Sequence, residues 1–185
     1  MNKDRLLAWH ASLDQRRGDR AQLRRAATLA AVLTTSAFYR FVNEVTGGEY
    51  VGGEGQRDGL IALSAVAGTL ATAELSPAGE AIETAIASRG ERGMVVKEAR
   101  FRRLIESSSA EMAYVQLRRT ISLLSGHTLG PTAAGEIERW IRALQSPRID
   151  RNKRPTDSIP VKWAISYYRI ATADNKEQIK GDVER

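Results

Sequence analysis

The sequence predicts an all-α fold, a compact bundle of about eight or nine helices, and three observations carry that prediction. Apolar residues recur at three- and four-residue spacing, as in Tyr114, Leu117, Ile121 and Leu124, or Ile137, Trp140, Ile141 and Leu144. Capping signals stand ahead of such runs, Thr34-Thr35-Ser36 and the serines from Ser107 to Ser109. No segment alternates with period two for long enough to mark a strand. A chain of 185 residues with 42% hydrophobic content fills a single domain, with possible halves at 1–90 and 94–173 and a frayed tail over 174–185.

The elements follow in order. Leu6, Leu7, Trp9 and Leu13 suggest a first amphipathic helix, closed by the polar run Asp14 to Gly18. The next places Leu23, Ala27 and Ala30 on one face, with Arg17, Arg20 and Arg24 as a basic stripe beside it. Beyond the Thr34 to Ser36 cap, Ala37 to Val42 continue as a third helix. Gly47-Gly48 and Gly52-Gly53-Glu54-Gly55 read as the flexible loop. Two helices are expected near Asp58 to Glu74 and Pro77 to Ser88, the second with proline in its first turn. A basic turn, Arg89 to Gly93, leads to a helix over Lys97 to Glu106 that buries Phe101, Leu104 and Ile105. The Tyr114 helix stops at Gly126, and another spans Pro131 to Leu144. A polar linker with Arg148, Arg151, Lys153 and Arg154 runs from Gln145 to Pro160, and the last helix holds Trp163, Tyr167 and Tyr168.

Composition limits the chemistry. With no cysteine there are no disulfides, thiolate metal sites or cysteine nucleophiles. His10 and His127 stand far apart with no HExxH pattern, and Glu136 and Glu138, at i and i+2, do not share a helix face. The glycine loop lacks a phosphate-binding pattern. No catalytic residue, metal site or cofactor is expected. The longest apolar stretch, Leu60 to Ala73, is below the roughly 18 residues of a membrane span, and no signal core follows Met1 to Arg5. A cytoplasmic protein with no membrane partner is expected.

Charge is the positive finding. The formal charge is +6, and 22 of 28 basic residues are arginine, whose planar fork binds phosphate oxygens bidentately. Leu23-Arg24-Arg25 returns as Leu117-Arg118-Arg119, and between them stands Arg100-Phe101-Arg102-Arg103. On the Leu117 helix Arg118 lies about 100° and Arg119 about 200° from the core direction, so one flanks the buried face and the other projects outward. Such clusters suit an acidic partner, nucleic acid ahead of an anionic membrane or acidic protein, with solvated faces or intrahelical ion pairs as the plainer account of any one arginine. Arg20, Arg24, Arg25, Arg100, Arg102, Arg103, Arg118 and Arg119 are the candidate nucleic-acid contacts, made to phosphate and tolerant of sequence. Trp163 and Tyr168 are candidates for a protein interface, although a C-terminal helix docking on the core is the favoured account of Trp163 and an equal one for Tyr168.

These motifs also carry a family resemblance. Trp9-x-x-x-Leu13 leads into Arg17-Gly18-Asp19-Arg20 and Leu23-Arg24-Arg25; Ala37-Phe38-Tyr39-Arg40 follows; Arg100-Phe101-Arg102-Arg103-Leu104-Ile105 precedes Val115-Gln116-Leu117-Arg118-Arg119; Trp163-x-x-x-Tyr167-Tyr168 closes the series. In this order the chain resembles the CasB-type small subunit of the type I-E CRISPR effector complex, Cascade. Ser36 stands where the family usually has proline, Ile165-Ser166 replaces a common Arg-Asp pair, and Glu106 stands where some members are basic. The resemblance implies an all-α, non-catalytic subunit in antiviral defence. Its implied partners are crRNA and target DNA, as R-loop and displaced strand, the backbone and large Cascade subunits, and a second copy head-to-tail. A sequence-specific helical DNA-binding regulator would instead need a base-reading helix, and a nuclease would need clustered carboxylates or histidines.

Overall fold

A computed structural model describes residues 1–48, 54–91, 93–145 and 154–183, without the side chains of 54–56 and 173–183. Ten helices are described: α1 Lys3–Ser12, α2 Arg17–Arg25, α3 Leu29–Leu33, α4 Ser36–Thr46, α5 Glu54–Leu70, α6 Ile82–Ile86, α7 Glu98–Ile105, α8 Ala110–Ile121, α9 Thr132–Gln145 and α10 Ile159–Val183. The fold is all-α, with four strands among the described residues. These are β1 Glu74–Glu80, β2 Arg89–Gly90, β3 Gly93–Met94 and β4 Thr128–Leu129.

The core is built around α5. Every residue from Ala62 to Ala71 is buried, the pattern of a helix surrounded by others. It packs against α9, α3, α8, α2 and α4. Small side chains permit this crowding: a Cβ added at Gly68 would lie 2.3 Å from the Tyr114 hydroxyl. Trp9 of α1 meets Phe41 of α4 edge-on at 4.6 Å between ring centroids. On the other side Phe101 of α7 stacks on Tyr167 of α10 at 4.0 Å, and the Tyr167 hydroxyl donates to the Val96 carbonyl at 2.7 Å. One apolar cluster contains residues from Leu6 to Tyr167.

Caps act where the sequence places them. Thr35 Oγ1 accepts from the Phe38 amide at 3.2 Å and Ser109 Oγ from Met112 at 3.2 Å, each satisfying an amide the helix leaves open. Gly47 ends α4 at φ +73°, the left-handed conformation glycine adopts without strain. Of the rest of the expected glycine loop, residues 49–53 lie outside the described residues, as do Arg92 and residues 146–153 of the basic linker, while Glu54 and Gly55 are not loop but the first residues of α5. The helical backbone of α10 continues to Val183.

Two further expected elements differ. The helix predicted from Pro77 is strand through Glu80, and only Ile82–Ile86 is helical. The strand pairs parallel with β4, with a register shift between Leu75 and Glu80. Proline is tolerated there because an irregular edge strand does not need its missing amide. Gly79 and Gly130 let the segments touch, since a Cβ at Gly79 would lie 2.2 Å from the Leu129 carbonyl. The second difference is at α2, which does not run on through Ala27 and Ala30. The chain leaves the helix at Ala26 (ψ 97°), and Thr28 caps the separate α3. The core face is Leu23, Ala26 and Leu29, while Ala27 and Ala30 are exposed.

Candidate nucleic-acid interface

The break between α2 and α3 positions the arginine doublets. Ending α2 leaves open carbonyls, and starting α3 leaves open amides. Helix α8 answers both with residues at i, i+3 and i+7. Glu111 accepts the Leu29 amide at 3.1 Å, Tyr114 donates its hydroxyl to the Ala26 carbonyl at 2.8 Å, and Arg118 Nη1 donates to the same carbonyl at 2.5 Å. Arg118 Nη2 donates to the carbonyl of Arg24. The Arg118 guanidinium also lies 5.5 Å from the Tyr114 ring centroid, and burial pushes the Tyr114 phenol up to about 12. The two Leu-Arg-Arg segments, far apart in sequence, therefore meet. Arg118 is half-buried and Arg119 exposed, as the helical geometry expects. Arg118 holds backbone, while Arg24, Arg25 and Arg119 are exposed with no side-chain ion pair among the described residues.

Along α2 a groove of about 510 Å³ is lined by Leu13 and Ala21, by Arg17, Arg20, Arg24 and Arg25, and by one carboxylate, Asp14. Arg20 is tethered there, with Nη1 2.6 Å from Asp14 and Nε donating to the Ala71 carbonyl at 3.3 Å. Helix α2 is itself held against α4. Arg40 makes a bidentate contact to the buried Asp19, and Arg16 binds Glu44 at 2.5 and 2.8 Å. Arg40 and Arg16 are consequently occupied inside the protein.

The third cluster lies on α7, which packs against α8. Arg100, Arg102 and Arg103 are exposed, and Arg102 Nε lies 3.6 Å from Glu106. All three arginine-bearing helices thus form a contiguous series, α2 to α8 to α7. The C-terminal aromatics divide. Trp163 is 1% exposed, packs edge-on against Trp140 and donates to Glu136 at 3.0 Å, so it belongs to the core and offers no surface to a partner. Tyr168 is half-buried with its hydroxyl 3.3 Å from Glu98.

Three polar groupings were not visible in the sequence. His127 Nδ1 lies 2.7 Å from Glu80 and its Nε2 3.1 Å from the Ser88 hydroxyl, so a histidine with no sequence cluster joins β1, the end of α6 and the approach to β4. His10 is buried with Nε2 donating to the Ala73 carbonyl at 3.1 Å, and burial lowers its pKa. Glu136 is held above the ordinary carboxylate range, first by burial and then by nearby Glu83. Among the described residues no group of three or more His, Cys, Asp or Glu side chains is placed to hold a metal ion, and no helix is long and apolar enough to cross a membrane.

A family model described as CRISPR-associated protein Cse2 matches residues 19–168. No curated protein and no solved structure matches the chain.

Proposed function

The chain belongs to the CRISPR-associated Cse2 family, the CasB-type small subunit of the type I-E Cascade complex, and from that premise we propose that it is a non-catalytic subunit that binds nucleic acid through arginine–phosphate contacts. Its role is to stabilise the R-loop of crRNA and target DNA and to hold the displaced strand. Base pairing reads sequence in such a system, and the protein needs only shape and phosphate. Supporting this reading is the α8 clamp, in which Arg118 holds the Arg24 and Ala26 carbonyls and brings together the two segments that carry the exposed Arg24, Arg25 and Arg119. Arg20 edges the adjoining groove and Arg100, Arg102 and Arg103 extend the track on α7. Arg118 positions the doublets and reaches phosphate, if at all, only by releasing its carbonyls.

In this reading the chain works in the cytoplasm with the backbone and large Cascade subunits. A second copy lies beside it head-to-tail, because a wound polyanion has direction and subunits following it share orientation. Replacing Arg25, Arg103 and Arg119 with alanine tests the reading directly. Affinity for single strands should fall for all sequences alike. The slope of log K against log salt should lose roughly 0.7 per residue removed. An unchanged slope in the triple variant removes these residues from the interface. Native mass spectrometry of complexes on normal and extended guides tests the arrangement: added copies on the longer guide support it, and a constant number opposes it.

A further inference from the structure

We propose that Tyr39 is a base-stacking contact at the end of the arginine track, so that α2 and α4 together hold single-stranded nucleic acid by its bases as well as its phosphates. This rests on the nucleic-acid reading above and adds a residue and a ligand feature to it. Tyr39 is 57% exposed, whereas its neighbours Phe38 and Phe41 are wholly buried. No apolar packing explains a ring left in water in the first turn of α4. Phe38 meets it edge-on at 5.4 Å between centroids and gives it a fixed footing. Arg40, clamped on Asp19, fixes the same turn of α4 against α2.

The path to Tyr39 starts at Arg25. That residue edges the α2 groove and also lines a second groove of about 630 Å³ between α2, α3 and α4. Besides Arg25, the second groove presents Gln22, Thr34, Thr35 and Ser36 together with Ala26 and Ala31, and no carboxylate. Ser36 Oγ lies 3.3 Å from Gln22 Oε1, which closes the groove at α4. Tyr39 stands one helical turn beyond Ser36 on the same face. A strand with a phosphate on Arg25 thus crosses an uncharged floor of hydroxyls and two alanines and meets an exposed ring. A base finds a π-face, and stacking of this kind is tolerant of sequence because every base has one.

The experiment measures binding of the full chain to a fluorescent single-stranded DNA of mixed sequence and to a strand of equal length carrying abasic residues. Tyr39→Ala should weaken binding of the intact strand about tenfold, leave its salt slope unchanged and leave the abasic strand unaffected. Tyr39→Phe should retain wild-type affinity, and circular dichroism melting should show all variants folded, since the ring is exposed. Wild-type affinity of Tyr39→Ala for the intact strand overturns the proposal, as does an equal loss on the abasic strand. Loss of the second copy from assembled complexes with strand affinity intact also overturns it, and assigns Tyr39 to a protein contact. If the wild-type chain binds both strands with a steep salt slope while Tyr39→Ala is silent, only the stacking fails. If wild type shows no salt-dependent binding at all, the arginine reading fails and the stacking with it.

Discussion

Removing the Arg118 side chain should separate the two roles an arginine can have in this protein, bracing its own backbone or gripping a ligand. In Arg118→Ala the hydrogen bonds to the Ala26 and Arg24 carbonyls disappear. Bonds from a charged donor are worth about 1.5–3 kcal/mol each, the upper figures applying when the partner is left orphaned. Here the Ala26 carbonyl keeps the Tyr114 hydroxyl at 2.8 Å, and Arg24 lies at the surface where its carbonyl can take water. The two bonds together therefore belong near the low end. Loss of the guanidinium over the Tyr114 ring adds about 0.5 kcal/mol. The expected cost is about 3.5 kcal/mol, which for a chain of this length lowers the melting temperature by about 7–14 °C. Arg118→Lys supplies one donor point and should recover roughly half. Thermal unfolding followed by circular dichroism measures the first effect, and strand affinity across a salt series measures the second. Arg118→Ala should melt early yet keep its salt slope, whereas Arg119→Ala should melt like wild type and lose roughly 0.7 from the slope. An unchanged melting temperature in Arg118→Ala, or a slope loss as large as that of Arg119→Ala, refutes the brace.

Other perturbations test the interior. Ser88→Ala should lower the melting temperature and leave ester and nucleic-acid hydrolysis at background, because the Ser88, His127 and Glu80 contacts act as a tie between segments; hydrolysis by wild type that disappears in the variant would make them a nucleophile relay instead. The raised Glu136 pKa means that the folded state holds a proton the unfolded chain releases, so stability present below the ordinary 4.5 is lost as pH rises through the higher folded value. Glu136→Gln, whose amide oxygen still accepts from Trp163, should consequently melt above wild type at neutral pH, with the gap closing near pH 4.5, and a gap that grows on acidification contradicts this. Gly79→Ala should cost several kcal/mol, on the order of other core overpacking, since its Cβ would strike the Leu129 backbone; Gly135→Ala, in open space on α9, should stabilise by about 0.5–1 kcal/mol. Equal melting of the two alanine variants would deny the close approach of β1 and β4.

What the sequence by itself determined is what the local helical period dictates. That period decides which side of a helix meets the core, so Leu117 is buried, Arg118 half-buried and Arg119 exposed. Capping chemistry is equally local, and Thr35 and Ser109 act where their side chains predict. The order of motifs, spread over the whole chain, was enough to indicate the family. Contacts now show part of what those motifs do together: Asp19 with Arg40, the Leu23 segment with Arg118, and Phe101 with Tyr167. Tertiary structure alone decided which half-buried polar group meets which partner. The carbonyl that Arg118 binds lies 92 residues away, and His127 finds Glu80 and Ser88 at separations of 47 and 39. No local rule sees those distances, because an unpaired donor beside a core states only that some acceptor must exist. The parallel β1–β4 pair is hidden for the same reason. Pro77 satisfies the local signature of a helix start, and only the approach of Leu129, with two glycines to admit it, makes the segment a strand. The end of α2 at Ala26 was settled from outside as well, since Glu111, Tyr114 and Arg118 supply the partners that a continuous helix would otherwise have found within itself.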